Sequence, residues 1–151
     1  MVQVTLEQRW DKRFMSMADL VSAWSKDSST KVGCVLVDKS RRVISVGFNG
    51  PPAKTVDAEY PREVRLRRSI HAEANALHFA NSDVSGCTAY VTHPPCANCT
   101  GHLIQRGISR IVAKVGSKAF ESRWAEDIKE SEAMCSESGV TLTLTCIGDF
   151  T

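Results

Sequence analysis

Residues 69–99 read SIHAEANALHFANSDVSGCTAYVTHPPCANC, and this stretch predicts a helix, a strand and a second helix in succession. The first helix has good helix formers, Ser69 as a possible N-cap and Asn81 as a plausible stop. The second helix is closed by Gly107, a residue type that commonly ends helices. The three predicted elements are Ser69–Ala80, Thr88–Thr92 and Ala97–Arg106.

Three side chains of this stretch have the chemistry of a metal site. Cys96 and Cys99 are three residues apart, so at a helix start they face the same side. With the imidazole of His71 they supply three protein ligands, the number that a catalytic zinc keeps so that water can occupy the fourth position. Glu73 supplies a carboxylate beside that water and is not needed as a metal ligand. The pattern therefore predicts a hydrolytic centre with Zn²⁺ on His71, Cys96 and Cys99, and Glu73 as its base.

Two other interpretations of these residues remain open. A structural zinc site would need a fourth ligand, and Cys87 or His93 is available for it, although such a site leaves Glu73 without a role. A disulfide between Cys96 and Cys99 is the other alternative, in a chain that shows no export signal.

The remaining sequence predicts elements that surround this unit. Apolar residues at helical spacing predict an amphipathic helix to about Trp24, with these side chains in the core: Leu6, Trp10, Phe14, Met17, Val21 and Trp24. The further elements are strands at Lys31–Val37, Val43–Phe48, Ile108–Val115 and Val140–Ile147, and a helix at Phe120–Ser138 before Gly139. A hairpin followed by alternating helices and strands predicts an α/β protein with about five strands and helices on the faces of the sheet. At 151 residues we expect one domain, residues 1–151.

Composition and charge exclude several classes of function. Hydrophobic residues make up 42% and charged residues 24% of the chain, which is ordinary for a globular protein. A net charge of +2 with interleaved signs is low for binding through phosphate backbones, so we expect no nucleic-acid partner. No apolar run has membrane-spanning length and the N-terminus lacks a signal-peptide core, so we expect no membrane partner and a cytoplasmic location, in the host if the chain is viral. Cys34, Cys87, Cys135 and Cys146 are interpreted as buried or incidental thiols of a reducing compartment.

Two segments are candidates for contacts with a phosphate. Lys26 with Ser28 or Thr30 places a cation beside small hydroxyls, which suits a monoester dianion, although a solvated turn is the alternative. The irregular stretch from Asn49 to Arg68 is too long for an ordinary connection and is a candidate functional loop. It ends in a cluster of cations that is either a solvated loop or a phosphate-contacting rim: Arg62, Arg65, Arg67 and Arg68. Trp124 is interpreted as a core or subunit-contact residue rather than a pocket residue.

These motifs resemble those of the zinc-dependent cytidine deaminase superfamily, whose signature is His-x-Glu followed by Pro-Cys-x-x-Cys. Within it the chain is most similar to deoxycytidylate (dCMP) deaminases, including those of phages. The resemblance runs from about Trp24 to Val115, and Phe48 stands where the family usually has a tyrosine. Its segments are Ser25-Lys26-Asp27, Lys31-Val32-Gly33, Gly47-Phe48-Asn49-Gly50-Pro51, His71-Ala72-Glu73, Tyr90-Val91-Thr92 and Pro95-Cys96-Ala97-Asn98-Cys99.

The resemblance implies a three-layer α/β/α fold with a mixed sheet, and deamination of dCMP to dUMP and ammonia, which supplies the precursor of dTMP. By matching position, His71, Cys96 and Cys99 would bind Zn²⁺ and Glu73 would transfer protons. Asn49 would lie near the substrate sugar.

Substrate orientation, regulation and assembly are further expectations. Backbone groups near Ala72 and Pro95 would contact the pyrimidine, and Lys26 and Ser28 its phosphate. The resemblance links the motif containing Phe48 and Gly50 to a regulatory site for dCTP, an activator, and dTTP, an inhibitor. It also implies a homo-oligomer, typically a hexamer.

Two alternative functions remain open from the sequence. A tRNA adenosine deaminase, or another nucleobase deaminase of the same fold, would share the metal signature. A non-catalytic zinc-binding regulatory subunit would share the ligands but would have no use for Glu73.

Overall fold

The computed structural model describes residues 3–115 and 118–145, in which helices cover both faces of one sheet. The helices are α1 (Leu6–Ser22), α2 (Arg62–Arg68), α3 (Ala72–Phe79), α4 (Ala97–Gln105) and α5 (Lys118–Ser138). The strands are β1 (Gly33–Val37), β2 (Val43–Phe48), β3 (Thr88–Val91), β4 (Arg110–Lys114) and β5 (Thr141–Thr145). Within the described ranges, no helix combines the length and the apolar character needed to span a bilayer.

The sheet has the strand order β2-β1-β3-β4-β5 and is mixed. Strand β1 is antiparallel to both of its neighbours, whereas β3, β4 and β5 are parallel. Helix α1 packs on one face against Val35, Tyr90 and Val112, and α3, α4 and α5 contribute to the core on the other face. The predicted three-layer α/β/α arrangement with a five-stranded mixed sheet is confirmed.

Close packing of α3 on β2 positions the metal motif. A Cβ on Gly47 would lie 2.4 Å from both the carbonyl oxygen of Ala72 and the nitrogen of Ala76, far closer than side chains allow. Glycine at this position therefore lets the first turn of α3 contact the strand directly. The side chain of Ser45 also donates to the carbonyl of Ala76 at 2.7 Å, which fastens the same turn.

The segment before α3 differs from the prediction. Ser69 does not cap α3: it ends a short helix, α2, that lies within the stretch predicted to be irregular. Ile70 then pairs with Gly50 through two backbone hydrogen bonds of 2.8 and 3.1 Å, so the chain is extended there and α3 begins only after His71. The predicted ends of α4 and α5 are confirmed, because Gly107 and Gly139 follow them with φ of 88° and 79°.

The core face of α1 is also shifted from the predicted stripe. Leu6, Met17 and Trp24 are exposed, and the buried face instead includes Met15 and Ala18. Asp11 belongs to that buried face because its carboxylate accepts hydrogen bonds from Tyr90 at 2.6 Å and from Arg110 at 2.8 and 2.6 Å. A hydrophobicity pattern counts such an aspartate as a surface residue and therefore places the face incorrectly.

Each predicted strand contains the observed one. Residues Cys146 and Ile147 of the last predicted strand lie outside the described residues.

Candidate active site

One imidazole and two thiols meet where α3 and α4 begin. Nδ1 of His71 lies 3.3 Å from Sγ of Cys99 and 3.5 Å from Sγ of Cys96. Zinc–nitrogen bonds of about 2.0–2.1 Å and zinc–sulfur bonds of about 2.3 Å place tetrahedral ligands about 3.5 Å apart. The three atoms therefore have the spacing of a single zinc ion, with Nδ1 as the histidine ligand.

The helix starts set this geometry. His71 and Cys96 are the N-cap residues of α3 and α4, both with extended backbone. Sγ of Cys96 accepts the backbone N–H of Cys99 at 3.3 Å, which holds both sulfurs on one side of the first turn. The positive ends of both helices point to the cluster and favour thiolates there.

Hydrogen bonds within the cluster favour the thiolate form of Cys96. Those from Cys99 and His71 lower the pKa of the Cys96 thiol, although its burial opposes this. The pKa of Cys99 is raised, since its proton is held by Cys96 and its site is buried beside Glu73. The two cysteines thus compete for one proton, and a divalent cation that replaces this proton would bind both sulfurs. This donor set fits zinc.

Glu73 is the second residue of α3 and is almost fully buried, with 3% of its surface exposed. Burial raises the pKa of its carboxyl group above the usual value. A carboxyl group whose pKa is raised holds a proton more readily than an exposed one, which helps it to accept a proton and return it. Glu73 lines the same cavity as His71, and this position suits it to general acid–base chemistry.

The two alternative interpretations of the cysteines are not supported. Within residues 3–115 and 118–145, the group that could hold a metal ion comprises His71, Cys96 and Cys99. Cys87 belongs to the buried core, and His93 lies in the cavity wall outside this group, so neither completes a four-ligand site. Cys96 and Cys99 are free thiols rather than a disulfide.

A cavity beside His71 and Cys96 receives side chains from five parts of the described chain. Its lining residues include Ala72 and Glu73 from α3, Arg62 and Arg65 from α2, and Asn49, His93 and Pro94 from loops. Pro95 is buried behind this wall, and its carbonyl accepts a hydrogen bond from Ser131 at 3.1 Å.

Asn49 lies in the cavity wall. Its side chain is nearly buried and connects the end of β2 to the segment before β1. The side-chain oxygen accepts from the N–H of Val32 at 2.8 Å, and the amide nitrogen donates to the carbonyl of Thr30 at 2.9 Å.

Three of the residues predicted to contact a phosphate or a regulator lie beside a second cavity of about 600 Å³. Lys26, Ser28 and Gly50 line it, and the ammonium group of Lys26 is 2.5 Å from the carboxylate of Asp57. Phe48 is instead partly exposed and contacts Trp24 edge-to-face at 6.2 Å between ring centroids.

Two residues of α5 reach the catalytic cavity and were not predicted to do so. Trp124 lines the cavity with 41% of its surface exposed, so it is not a core residue, which was one of the two interpretations preferred over a place in a pocket. Asp127 lines the cavity and accepts the N–H of Ala97 at 2.5 Å. No sequence spacing relates these residues to the cysteines, because only the packing of α5 on α4 brings them together.

Comparison with known proteins agrees with this geometry. The family model described as "Cytidine and deoxycytidylate deaminase zinc-binding region" matches residues 8–115. An uncharacterized deaminase of Aliivibrio fischeri is 46% identical over 89% of this chain and 92% of its own length. The deoxycytidylate deaminase of Mycobacterium phage D29 is 34% identical over 68% of this chain and 92% of its own length. The chain spans 54% to 63% of the longer animal deoxycytidylate deaminases that it matches.

The fold also has a close counterpart among solved structures. The dCMP deaminase of cyanophage S-TIM5, solved in complex with dCMP and dUMP, superimposes with a TM-score of 0.75 at 21% identity, covering 95% of this chain and all of that one. The fold, the three-residue cluster and the family match over more than half of the sequence agree, and the chain therefore belongs to the zinc-binding cytidine and deoxycytidylate deaminase family.

Proposed function

We propose that the protein converts dCMP to dUMP and ammonia by zinc-dependent hydrolysis. The observation that carries this proposal is a cavity in which Arg62 and Arg65 lie together with His71 and Glu73. Zinc-bound water suits attack on an aminated ring carbon, and arginine suits a phosphate because its donors match two phosphate oxygens at once. The phage D29 relative named deoxycytidylate deaminase supports the choice of nucleotide. The product dUMP would serve as the precursor of dTMP, so we propose a role in pyrimidine nucleotide biosynthesis.

In this reaction Glu73 moves the protons. The zinc ion, when bound, supplies a water molecule of lowered pKa. The Glu73 carboxylate would accept a proton from the attacking water and pass it to N3 of cytosine as the water oxygen bonds to C4. Glu73 would then take the proton of the new C4 hydroxyl group and deliver it to the departing amine, so that the C4–N bond breaks as the C4 carbonyl forms, giving ammonia and the uracil nucleotide.

Several groups would hold the pyrimidine during these transfers. The first N–H groups of a helix have no partner inside it, so those of Ala72 and Cys96 are suited to the pyrimidine carbonyl. We further propose that Asn49 contacts the sugar, since the loop that carries it ends in the cavity. A carbonyl in the segment His93–Pro95 would accept a hydrogen bond from the amine, and His93 and Pro94 are the residues of that segment that line the cavity.

Replacing Arg65 with alanine should lower kcat/KM for dCMP by about 10- to 100-fold, the loss expected for a hydrogen bond to a charged group. The Arg65 guanidinium donates to Ser28 at 3.1 Å and lies 3.6 Å from the carboxylate of Asp27, so it is held at the wall between the two cavities. Deoxycytidine, which lacks the phosphate, should be affected much less. Arg67→Ala is the matched control, because this exposed arginine of α2 lines neither cavity.

Lys26→Ala tests the second cation proposed for the phosphate. Lys26 is largely exposed and lies beside the second cavity, so we expect a smaller loss than for Arg65→Ala, again selective for dCMP. Equal effects of a variant on dCMP and deoxycytidine would remove that residue from phosphate recognition.

A substrate panel tests the function itself. Ammonia release would be measured from dCMP, dCTP, deoxycytidine, CMP and a tRNA anticodon stem, with dCMP expected to react fastest. Release from the RNA but not from dCMP would favour a tRNA adenosine deaminase. A zinc-loaded protein that is inactive on every substrate would favour a regulatory subunit.

We also propose regulation by dCTP and dTTP at the second cavity. Its volume of about 600 Å³ is in the range of small-molecule sites, and Gly50 and the cations Lys26 and Arg68 lie in its wall. Arg65 lines both cavities, so an anionic ligand that pairs with it in the second cavity would alter its position in the first. Repeating the dCMP assay with each triphosphate should show activation by dCTP and inhibition by dTTP.

Homo-oligomerisation, as a hexamer, and a cytoplasmic location complete the proposal. Leu20, Trp24 and Phe48 are exposed by 62%, 53% and 38%, and exposed apolar groups of this kind often mark protein contacts. Sedimentation should give six times the chain mass, and a monomer at all concentrations would contradict assembly. Free buried thiols such as Cys34 and Cys135 fit a reducing compartment, which localisation of a tagged chain would test.

A further inference from the structure

Helix α5 contacts the cysteine loop through a carboxylate. Oδ2 of Asp127 accepts the backbone N–H of Ala97 at 2.5 Å. Ala97 follows Cys96 directly and is the first residue of α4, so its N–H is among those that have no partner within that helix. A negatively charged acceptor at a helix N-terminus is also favoured by the helix dipole. Asp127 thus fixes the backbone immediately beside one proposed zinc ligand.

One turn further along α5, a hydroxyl fixes the other side of the same ligand. The side chain of Ser131 donates to the carbonyl of Pro95 at 3.1 Å and accepts from the hydroxyl of Thr100 at 2.9 Å. Ser131 and Thr100 are almost fully buried, with 1% and 0% exposure, so these bonds are shielded from water. Cys96 is therefore held by hydrogen bonds to the residue before it and to the residue after it.

We propose that Asp127 and Ser131 are positioning residues for the zinc site, which set the Pro95–Ala97 backbone so that Cys96 points at His71 and Cys99. The contact pattern supports this role, because the two side chains are four residues apart on one helix and flank one ligand. The charge of Asp127 contributes as well. A hydrogen bond to an ionised acceptor is roughly twice as strong as one between neutral groups, so the carboxylate holds the Ala97 N–H more firmly than a neutral acceptor would.

The inference concerns metal affinity and does not depend on which nucleotide the enzyme uses. Partners outside the ligand set typically change metal affinity by about 10- to 100-fold when removed. We therefore expect Asp127→Ala to raise the zinc dissociation constant by about 10- to 100-fold, measured by competition with a chromophoric chelator. Asp127→Asn keeps an acceptor for the Ala97 N–H but loses the charge, so its increase should be intermediate. Ser131→Ala should also weaken zinc binding.

Glu130→Gln is the matched control, since it removes one negative charge from an exposed position of the same helix and should leave zinc affinity unchanged. Melting temperatures of zinc-loaded and zinc-free protein separate positioning from general stability. A positioning residue reduces the increase in Tm that zinc produces, whereas a structural residue lowers both temperatures equally. Wild-type zinc affinity in Asp127→Ala would overturn the proposal, and a raised KM for dCMP with unchanged zinc affinity would assign Asp127 to substrate contact instead.

Discussion

Replacing Glu73 with glutamine is expected to lower kcat for dCMP by about 10²- to 10⁴-fold, the usual contribution of a positioned acid–base group. The carboxyl group is buried in the cavity wall and its pKa is raised by that burial, which suits it to accept a proton and return it. Glutamine has nearly the same shape but cannot transfer a proton. Ammonia release from dCMP under saturating conditions measures the effect.

Zinc retention makes this result specific. Glu73 is outside the three-residue ligand group, so the variant should bind one zinc ion per chain as the wild type does. Glu137→Gln, at an exposed position of α5, is the control for the same chemical change and should retain full activity. A Glu73→Gln enzyme with normal turnover would show that another group transfers the protons.

Replacing Cys99 with serine should abolish both zinc binding and activity. Cys99 is 2% exposed and its sulfur lies 3.3 Å from Nδ1 of His71, so no water-exposed group can take its place as a ligand. In the wild type, zinc at 1,000 times its dissociation constant stabilises the fold by about 4 kcal/mol, because the ion binds the folded chain alone. That corresponds to a rise in Tm of about 8–16 °C for a domain of this size.

The Cys99→Ser variant should show none of this rise. Metal analysis after dialysis and thermal melts with and without added zinc provide the measurements. Cys135→Ser is the matched control, since Cys135 is equally buried but belongs to the hydrophobic core away from the metal cluster. It should lose stability and still respond to zinc. A normal response in Cys99→Ser would mean that the thiol is not a ligand.

The elements of the fold were largely predictable, because each depends on a local pattern. Val35 and Val91 lie in apolar runs of strand length, and Gly107 and Gly139 follow the helices that they were expected to end. Predictions failed where a distant partner changes the environment of a residue. Asp11 is buried because Arg110 and Tyr90 bind its carboxylate, and α2 occupies part of a segment whose composition suggested a loop.

The amino-acid order was sufficient to predict the cluster of His71, Cys96 and Cys99, and Glu73 in the same cavity wall, since His71 with Glu73 and Cys96 with Cys99 are each close in sequence. The rest of the cavity required the folded chain. Arg65 reaches Ser28 across 37 positions of sequence, and Asp127 reaches Ala97 across 30. Such pairs leave no short-range pattern, because packing of α2 and α5 against the site, rather than local spacing, brings the groups into contact.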